Sequence, residues 1–467
     1  MTAANDAFLR EWIPVVGRDV WNAQRSAGRH PREFNAVLDG IADDTAAIRA
    51  LHEWCNANNV PPSYKGVKTF AVQADAQIPI NTDVDFCGAQ INLIGGIVAS
   101  PSWSATKSQA FVAYDPSCPV VSGVVDVAGS DFAAGSYTTA RNLIPGSGWL
   151  AYYLNEGANL PRIADRDGIA SLSWRGCHRV YPSGDTQYPL PVNATGITRV
   201  FREYRLDPVR PITIRNVAAD VSRFNQQVLF EVQRNEVTVE NLTLLASGAM
   251  PSDMICELVR PNKCADFTLR NLRGVPPSVS TSSYVFSPVF CANFRVEGAD
   301  FRGAAWWWVA AHYCNGMHYG PGFYDRIDIH EYSMNLFVEP GAELIGRGVQ
   351  VGHGGGQMVL DGVIYHQTQA NQGMVQGRID YGRGSWDGDI AIRAPHIIAQ
   401  FAADPLGAVV VHLPDVGNTS IAQAFPRMIS VSDVTVSRPE GVTTTMAVTP
   451  VYLKVSPGSA GVRAPAS

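Results

Sequence analysis

Charge is scarce in this chain. Only 17% of its 467 residues are charged, and 36 Lys and Arg against 42 Asp and Glu leave a net charge of −6. With no basic excess, gripping a nucleic acid or an anionic membrane surface by charge is disfavoured. Paired cysteines are missing too. Cys55, Cys87, Cys118, Cys177, Cys256, Cys264, Cys291 and Cys314 include no CxxC spacing, so neither a zinc site nor a disulfide framework is indicated. They read mostly as buried thiols. There is no run of 18 apolar residues, and residues 1–14 carry Asp6, Arg10 and Glu11 with no apolar stretch, so neither a membrane span nor a Sec leader is expected. Turn formers are abundant: 42 Gly and 30 Pro sit beside a 46% hydrophobic content that is too high for a disordered chain. A turn-rich β protein follows, and its length calls for several domains or one elongated solenoid.

Residues 1–32 are polar and without a period, and read as an arm or attachment segment. Residues 34–40 read as a short strand closing in an Asp39-Gly40 turn, and Asp43 or Asp44 is placed to cap a following helix. Ala47, Ile48, Leu51, Trp54 and Cys55 share one helical stripe, which predicts a helix over about 43–57 that stops before Pro61-Pro62.

Between residues 212 and 434 one pattern recurs: apolar, any, apolar, charged, Asn or Gly, apolar. It begins at Ile212, Val237, Phe267 and Phe294, and more loosely at Ile327, Met358, Ile390 and Ile429. Intervals of about 25 to 40 residues with period-two alternation inside each unit predict one solenoid turn per unit. Stacked at about 4.8 Å, the fourth position forms a column of Arg215, Glu240, Arg270, Glu297, His330, Asp361 and Arg393. Its mostly alternating signs suit parallel, in-register strands. The fifth position stacks Asn216, Asn241 and Asn271, then Gly298 and Gly362, residue types that tolerate a left-handed corner. The expected fold is all-β, a parallel β-helix behind a short N-terminal capping α-helix, its right hand supplied by the crossover rule.

The motif Asp39-Gly40-x-x-Asp43-Asp44-Thr45, its helix, and the segments Ile78-Pro79-Ile80 and Val84-Asp85-Phe86-Cys87-Gly88-Ala89 resemble the capped start of the pectate-lyase-like superfamily of right-handed β-helices, and within it bacteriophage tailspike depolymerases. The resemblance covers about residues 33–434. It implies cleavage of a bacterial surface polysaccharide (capsule, exopolysaccharide or O-antigen) by a glycoside hydrolase or polysaccharide lyase. It also implies a homotrimer, possible other phage tail proteins as partners, and a place on the virion tail or outside the cell. The fold hosts inert adhesins as well as enzymes, so a non-catalytic glycan adhesin or structural tail protein, and a bacterial exopolysaccharide-modifying enzyme, stand as alternatives. The expected organisation is an arm over 1–32, a β-helix over 33–435 that is less regular at about 100–205, and a tail over 436–467.

Solenoid function usually lies along one face. A second strand set, 306–312, 349–353, 375–380 and 409–412, would bring His312, His353, Asp380 and His412 together, with Arg378 and Tyr381 alongside, as acid–base and carboxylate-binding groups. Glu231 and Glu257 are expected on consecutive turns, about 5 Å apart. The acidic loop around Asp380, Asp387 and Asp389 is catalytic, binds calcium or is a plain turn; otherwise no cofactor or metal is implied. Trp306, Trp307 and Trp308 cannot all point inward, which offers sugar-stacking rings together with Tyr313 and Trp386. A covered satellite core under loops 313–325 and 364–374 is the alternative, with His318 and His366 as hydrogen-bonded loop histidines.

Overall fold

The computed structural model describes residues 28–95, 108–128, 144–155, 163–164, 170–171, 173–183, 186–188, 198–220, 227–245, 256–274, 283–300, 307–331, 333–368, 372–378, 385–400, 407–413, 426–438 and 448–453. Within these the chain winds as a parallel β-helix with three sheets and one capping α-helix. The strand Cys256–Gly274 shows the winding in one element, because it contributes to all three sheets. Residues 256–261 pair with 227–232, 267–270 pair with 237–240, and 272–274 pair with 242–244. These three tracks are named sheets I, II and III. Every pairing within them is parallel, as when Phe230 lies between Phe111 and Val259 or Val349 between Ile327 and Val375.

The core runs down the axis. In sheet I, Phe111, Phe230, Val259 and Phe286 form one inward column, with the Phe111 and Phe230 rings 5.6 Å apart. Ile212, Val237, Phe267, Phe294, Met317, Leu336, Met358 and Ile390 form the matching column of sheet II. All are buried.

The capping helix spans Thr45–Asn58 and buries Ile48, Leu51, His52 and Cys55. Asp43 accepts from the Thr45 amide at 3.0 Å. Asp44 instead reaches back to the amides of Val37 and Leu38, at 2.6 and 3.1 Å. Residues 34–40 are not a strand; a 3-10 turn over Pro31–Phe34 leads into the cap, with His30 and Glu33 closing a capping box.

Two corners carry left-handed residues. Between sheets II and III, Asn216, Asn241, Asn271 and Gly298 all have φ between 55 and 65°. Asn241 Nδ2 donates to Asn216 Oδ1 at 2.8 Å, and Asn271 Nδ2 to Asn241 Oδ1 at 3.1 Å. A Cβ on Gly298 would lie 2.4 Å from Asn271 Oδ1, so glycine is required where the ladder ends. Between sheets I and II, Asp266, Asn293, Gly316, Asn335 and Gly356 turn the chain in the same way.

The charged column is present with one correction. Asp85, Arg215, Glu240, Arg270 and Glu297 stack in register, joined by Arg215–Asp85 at 3.0 Å, Arg270–Glu240 at 3.6 Å and Arg270–Glu297 at 2.5 Å. The next two rungs place Gly320 and Glu339 there, not His330. Residues 327–332 belong to sheet I. Two short turns, through Met317 and Leu336, occupy the interval where the sequence pattern shows one. For the same reason 313–325 and 364–374 are not plain loops, since they contain the strands Asn315–Tyr319 and Ile364–Gln367 and the start of Gly322–Glu331.

The described part of 100–205 includes strands outside the solenoid. Val121–Ala128, Gly148–Asn155, Ser173–Val180 and Thr198–Leu206 form a four-stranded antiparallel sheet. Trp149, Ala151 and Cys177 from this sheet pack on Ala265, Phe290 and Ala292 of the solenoid. Trp149 Nε1 donates to the Phe290 carbonyl at 2.8 Å, and Arg179 pairs with Asp207 and Asp266 at 2.8 and 2.6 Å.

The asparagine ladder makes a test. Asn241→Ala loses two inter-rung hydrogen bonds and puts in the left-handed region a residue that tolerates it less well than asparagine, which should lower unfolding free energy by about 2 kcal/mol. Asn241→Gly should cost about half as much, as read by urea denaturation.

Candidate functional site

Sheet I carries the polar face. Its outward positions hold two separate clusters. In the first, the register sets Glu231 opposite Arg260 and Glu257 opposite Val228. The two glutamates therefore do not face each other as a close pair. They share Arg260, whose Nε lies 3.9 Å from Glu231 Oε2 and 3.6 Å from Glu257 Oε2. Asn262 Nδ2 donates to Glu231 Oε1 at 3.0 Å. Side-chain exposure is only 1% for Glu231 and 3% for Glu257, so both carboxylates are closed from bulk solvent, while Arg260 is 24% exposed. Burial pushes the Glu231 carboxyl above its ordinary value against the pull of Arg260.

The second cluster lies three rungs on, about 14 Å at strand spacing. Asp328 is fully buried and holds it together. Arg378 Nη1 donates to both of its oxygens at 2.9 Å, Arg326 Nη2 approaches Oδ2 at 2.5 Å, and His330 Nε2 lies 3.0 Å from Oδ2. Burial alone would raise the Asp328 carboxyl, but His330, Arg326 and Arg378 hold it well below the usual carboxylate range. The His312 ring packs edge-on to His330 at 4.6 Å. Between the two clusters, Tyr284 and Trp308 occupy adjacent register positions in the same column as Glu257 and Arg326.

The expected gathering of histidines does not form. Asp328, Gln350, Gln376, His412 and Tyr452 share one row, with His412 and Tyr452 rings 5.1 Å apart. His312 belongs to the Asp328 cluster. His353 has passed the turn at Gly352 and pairs with Ser385 in another strand. It is 2% exposed, and burial pulls its imidazole down to about 3, which keeps it neutral and inside. Trp386 fills the core, fully buried, with Nε1 donating to the Gly356 carbonyl at 3.2 Å, so its face is not offered to a sugar. Tyr313 stacks on Phe290 at 4.7 Å where the antiparallel sheet meets the solenoid. Trp306, Asp380 and Tyr381 lie outside the described residues, as do the side chains of Trp307, Trp308 and Asp387. Among the described residues no group of three or more His, Cys, Asp or Glu is arranged to hold a metal ion.

Sequence reasoning missed Arg326 and the central place of Asp328 in this ion-pair cluster, because residues 327–332 fit the repeat of another sheet. It also missed a relay on sheet II. Tyr188 and His318 Nε2 are 3.2 Å apart, His318 Nδ1 lies 3.4 Å from Glu339 Oε1, and Arg295 clamps Glu339 through two bonds of 2.7 and 2.5 Å. Burial lowers His318 below its ordinary value against Glu339, and raises Tyr188 to about 12. A neutral ring with its proton on Nδ1 fits both contacts. No local motif marks Tyr188, which arrives from the segment that follows the strand Ser173–Val180.

The chain matches no protein-family model and no curated protein sequence. Solved structures are similar to it. The Gp54 tailspike of Acinetobacter baumannii bacteriophage AP22, in complex with capsular saccharide, is 12% identical at a TM-score of 0.41, covering 89% of this chain and 71% of that one. The tailspike gp61 of Pseudomonas phage phi297 is 11% identical at 0.36, covering 88% and 80%. PfbA, a surface adhesin of Streptococcus pneumoniae, is 10% identical at 0.40, covering 88% and 90%.

Two outcomes test the electrostatics. Asp328→Asn leaves two guanidinium groups without their shared carboxylate and should cost about 3 to 5 kcal/mol, read by denaturant unfolding. His52, like His353, is buried with its pKa lowered from 6.5 to about 3. Each binds a proton more readily in the unfolded chain, so the stability they contribute is present above about pH 6.5 and is lost as pH falls toward 3. The thermal midpoint should drop over that interval, and drop less steeply in His353→Gln.

Proposed function

We propose that this chain is a depolymerase of a bacterial surface polysaccharide (capsule, exopolysaccharide or O-antigen), acting as a homotrimeric tailspike. The observation that carries the reading is the polar face of sheet I, where Glu231, Glu257, Arg260, Arg326, Asp328, His330 and Arg378 line one side of a rigid solenoid. A long repetitive face suits a repetitive polymer. The low net charge fits a ligand held by hydrogen bonds and stacking rather than by bulk charge. The N-terminal cap motif supports the same setting.

A second reading, a non-catalytic glycan adhesin, is favoured by the burial and charge compensation of both clusters, because groups already paired inside the protein act as braces. One experiment separates the two. The protein is incubated with a panel of purified capsular, exopolysaccharide and O-antigen polymers, while new reducing ends and the absorbance of unsaturated uronates are followed. Reducing ends are the expected result. Binding across the panel without cleavage would establish the adhesin, and light scattering at three chain masses would support the trimer.

A further inference from the structure

Arg179, Arg205 and Arg234 are buried where the antiparallel sheet meets the solenoid, with exposures of 6, 3 and 1%. Two of them have carboxylates. Arg179 reaches Asp207 and Asp266 at 2.8 and 2.6 Å. Arg234 has Asp115 Oδ2 4.0 Å from its Nη1, donates to Asn81 Oδ1, and gives a 2.6 Å bond to the Arg210 carbonyl. Arg205 differs. Its Nε and Nη1 are buried without a hydrogen-bond partner, and no carboxylate among the described residues forms an ion pair with it.

The register turns Arg205 inward. It lies opposite Trp149 in the antiparallel pair, and residues directly opposite share a face. Trp149 packs on Ala265, Phe290 and Ala292, so Arg205 is also directed at the solenoid. Asn235 holds the strand there, its Nδ2 donating to the Arg205 and Leu206 carbonyls at 3.4 and 3.3 Å and to Asp207 Oδ1 at 3.0 Å. The carboxylates of the neighbouring positions are committed elsewhere. Asp207 belongs to Arg179, Glu203 to Lys263 at 2.7 Å, and Asp115 to the Ser117 hydroxyl and amide at 2.6 and 2.9 Å. The titratable groups that act most on Arg205 are the thiols of Cys264, Cys291 and Cys118 and the phenol of Tyr114, all uncharged in their ordinary forms at neutral pH.

A buried guanidinium does not escape by losing its proton. Burial lowers its pKa, yet it starts so far above neutrality that the charge remains. A water would satisfy an N–H group but not the charge, and an uncompensated buried charge is costly. Nor do the thiols supply the counter-charge: Cys118 Sγ donates to the Asp207 carbonyl at 3.4 Å and Cys291 Sγ to the Val289 carbonyl at 3.5 Å, contacts that keep the proton on sulfur. We propose that Arg205 anchors a binding site for a small inorganic anion of chloride size, at the seam between the antiparallel sheet and the solenoid. Arg205 supplies the charge, and the soft surroundings of Cys118, Cys264 and Tyr114 suit a polarisable, weakly hydrated halide better than a strongly hydrated oxyanion. Occupancy ties the strand Thr198–Leu206 to the turns that carry Cys118 and Cys264, so halide concentration sets how firmly the sheet is seated.

The test uses the full chain. Thermal unfolding is followed while chloride replaces gluconate at constant ionic strength, which holds general screening fixed. The wild-type midpoint should rise with chloride, by about 3 °C where chloride exceeds its Kd about 100-fold. Arg205→Met, which keeps an unbranched stem and removes the charge, should show no rise, and Arg205→Lys should keep part of it. Should Arg205→Met not fold, wild-type crystals grown with bromide decide the matter: anomalous scattering should place a bromide beside the Arg205 guanidinium. A wild-type midpoint indifferent to chloride, with no bromide at Arg205, overturns the proposal. So does an adventitious ion only, seen as bromide at Arg205 in crystals while chloride leaves the midpoint unmoved. Thiolate ultraviolet absorbance at neutral pH that Cys264→Ser abolishes would make the counter-charge internal and overturn it as well.

Discussion

A solenoid stands only if every turn brings its chain back in register with the turn below. Here that closure depends on left-handed residues at two corners. Asn216, Asn241, Asn271 and Gly298 reverse the backbone at one of them, and the side-chain amides bond from rung to rung while doing so. Asp266, Asn293, Gly316, Asn335 and Gly356 do the same at the other. The inward columns and the alternating charges of Arg215, Glu240, Arg270 and Glu297 follow from that registry. An ion pair at this exposure contributes little by itself, so the charges suit the register more than they create it.

The early part of this order was legible because the repeat from Ile212 to Ala299 keeps its residue types. It faded where the turns shorten. Met317-His318-Tyr319 and Leu336-Phe337-Val338 fill the same column without the Asn that had marked the corner, and Ile327-Asp328-Ile329-His330 mimics the pattern on a different sheet. Alternation alone does not say which of three sheets a strand joins. The antiparallel sheet around Trp149 was not legible at all. Its strands pair with one another over long separations, and its packing partners Phe290 and Ala292 lie far along the chain.

The site was legible as a face more than as a set of residues. Glu231, Glu257, His312 and Arg378 could be singled out because outward positions of a strand are countable. Their roles were not, because burial and counter-charge are set by neighbours from other rungs: Arg260 closes over two glutamates, and Asp328 draws in two arginines and a histidine.

The docking of the antiparallel sheet has a consequence for synthesis. Trp149 anchors to Phe290, 141 residues further along, and Arg179 anchors to Asp266. When the sheet's own strands leave the ribosome, the surface that receives them has not yet been made. Until the rungs holding Ala265 and Ala292 emerge, Trp149 and Cys177 therefore have no solenoid surface to cover them.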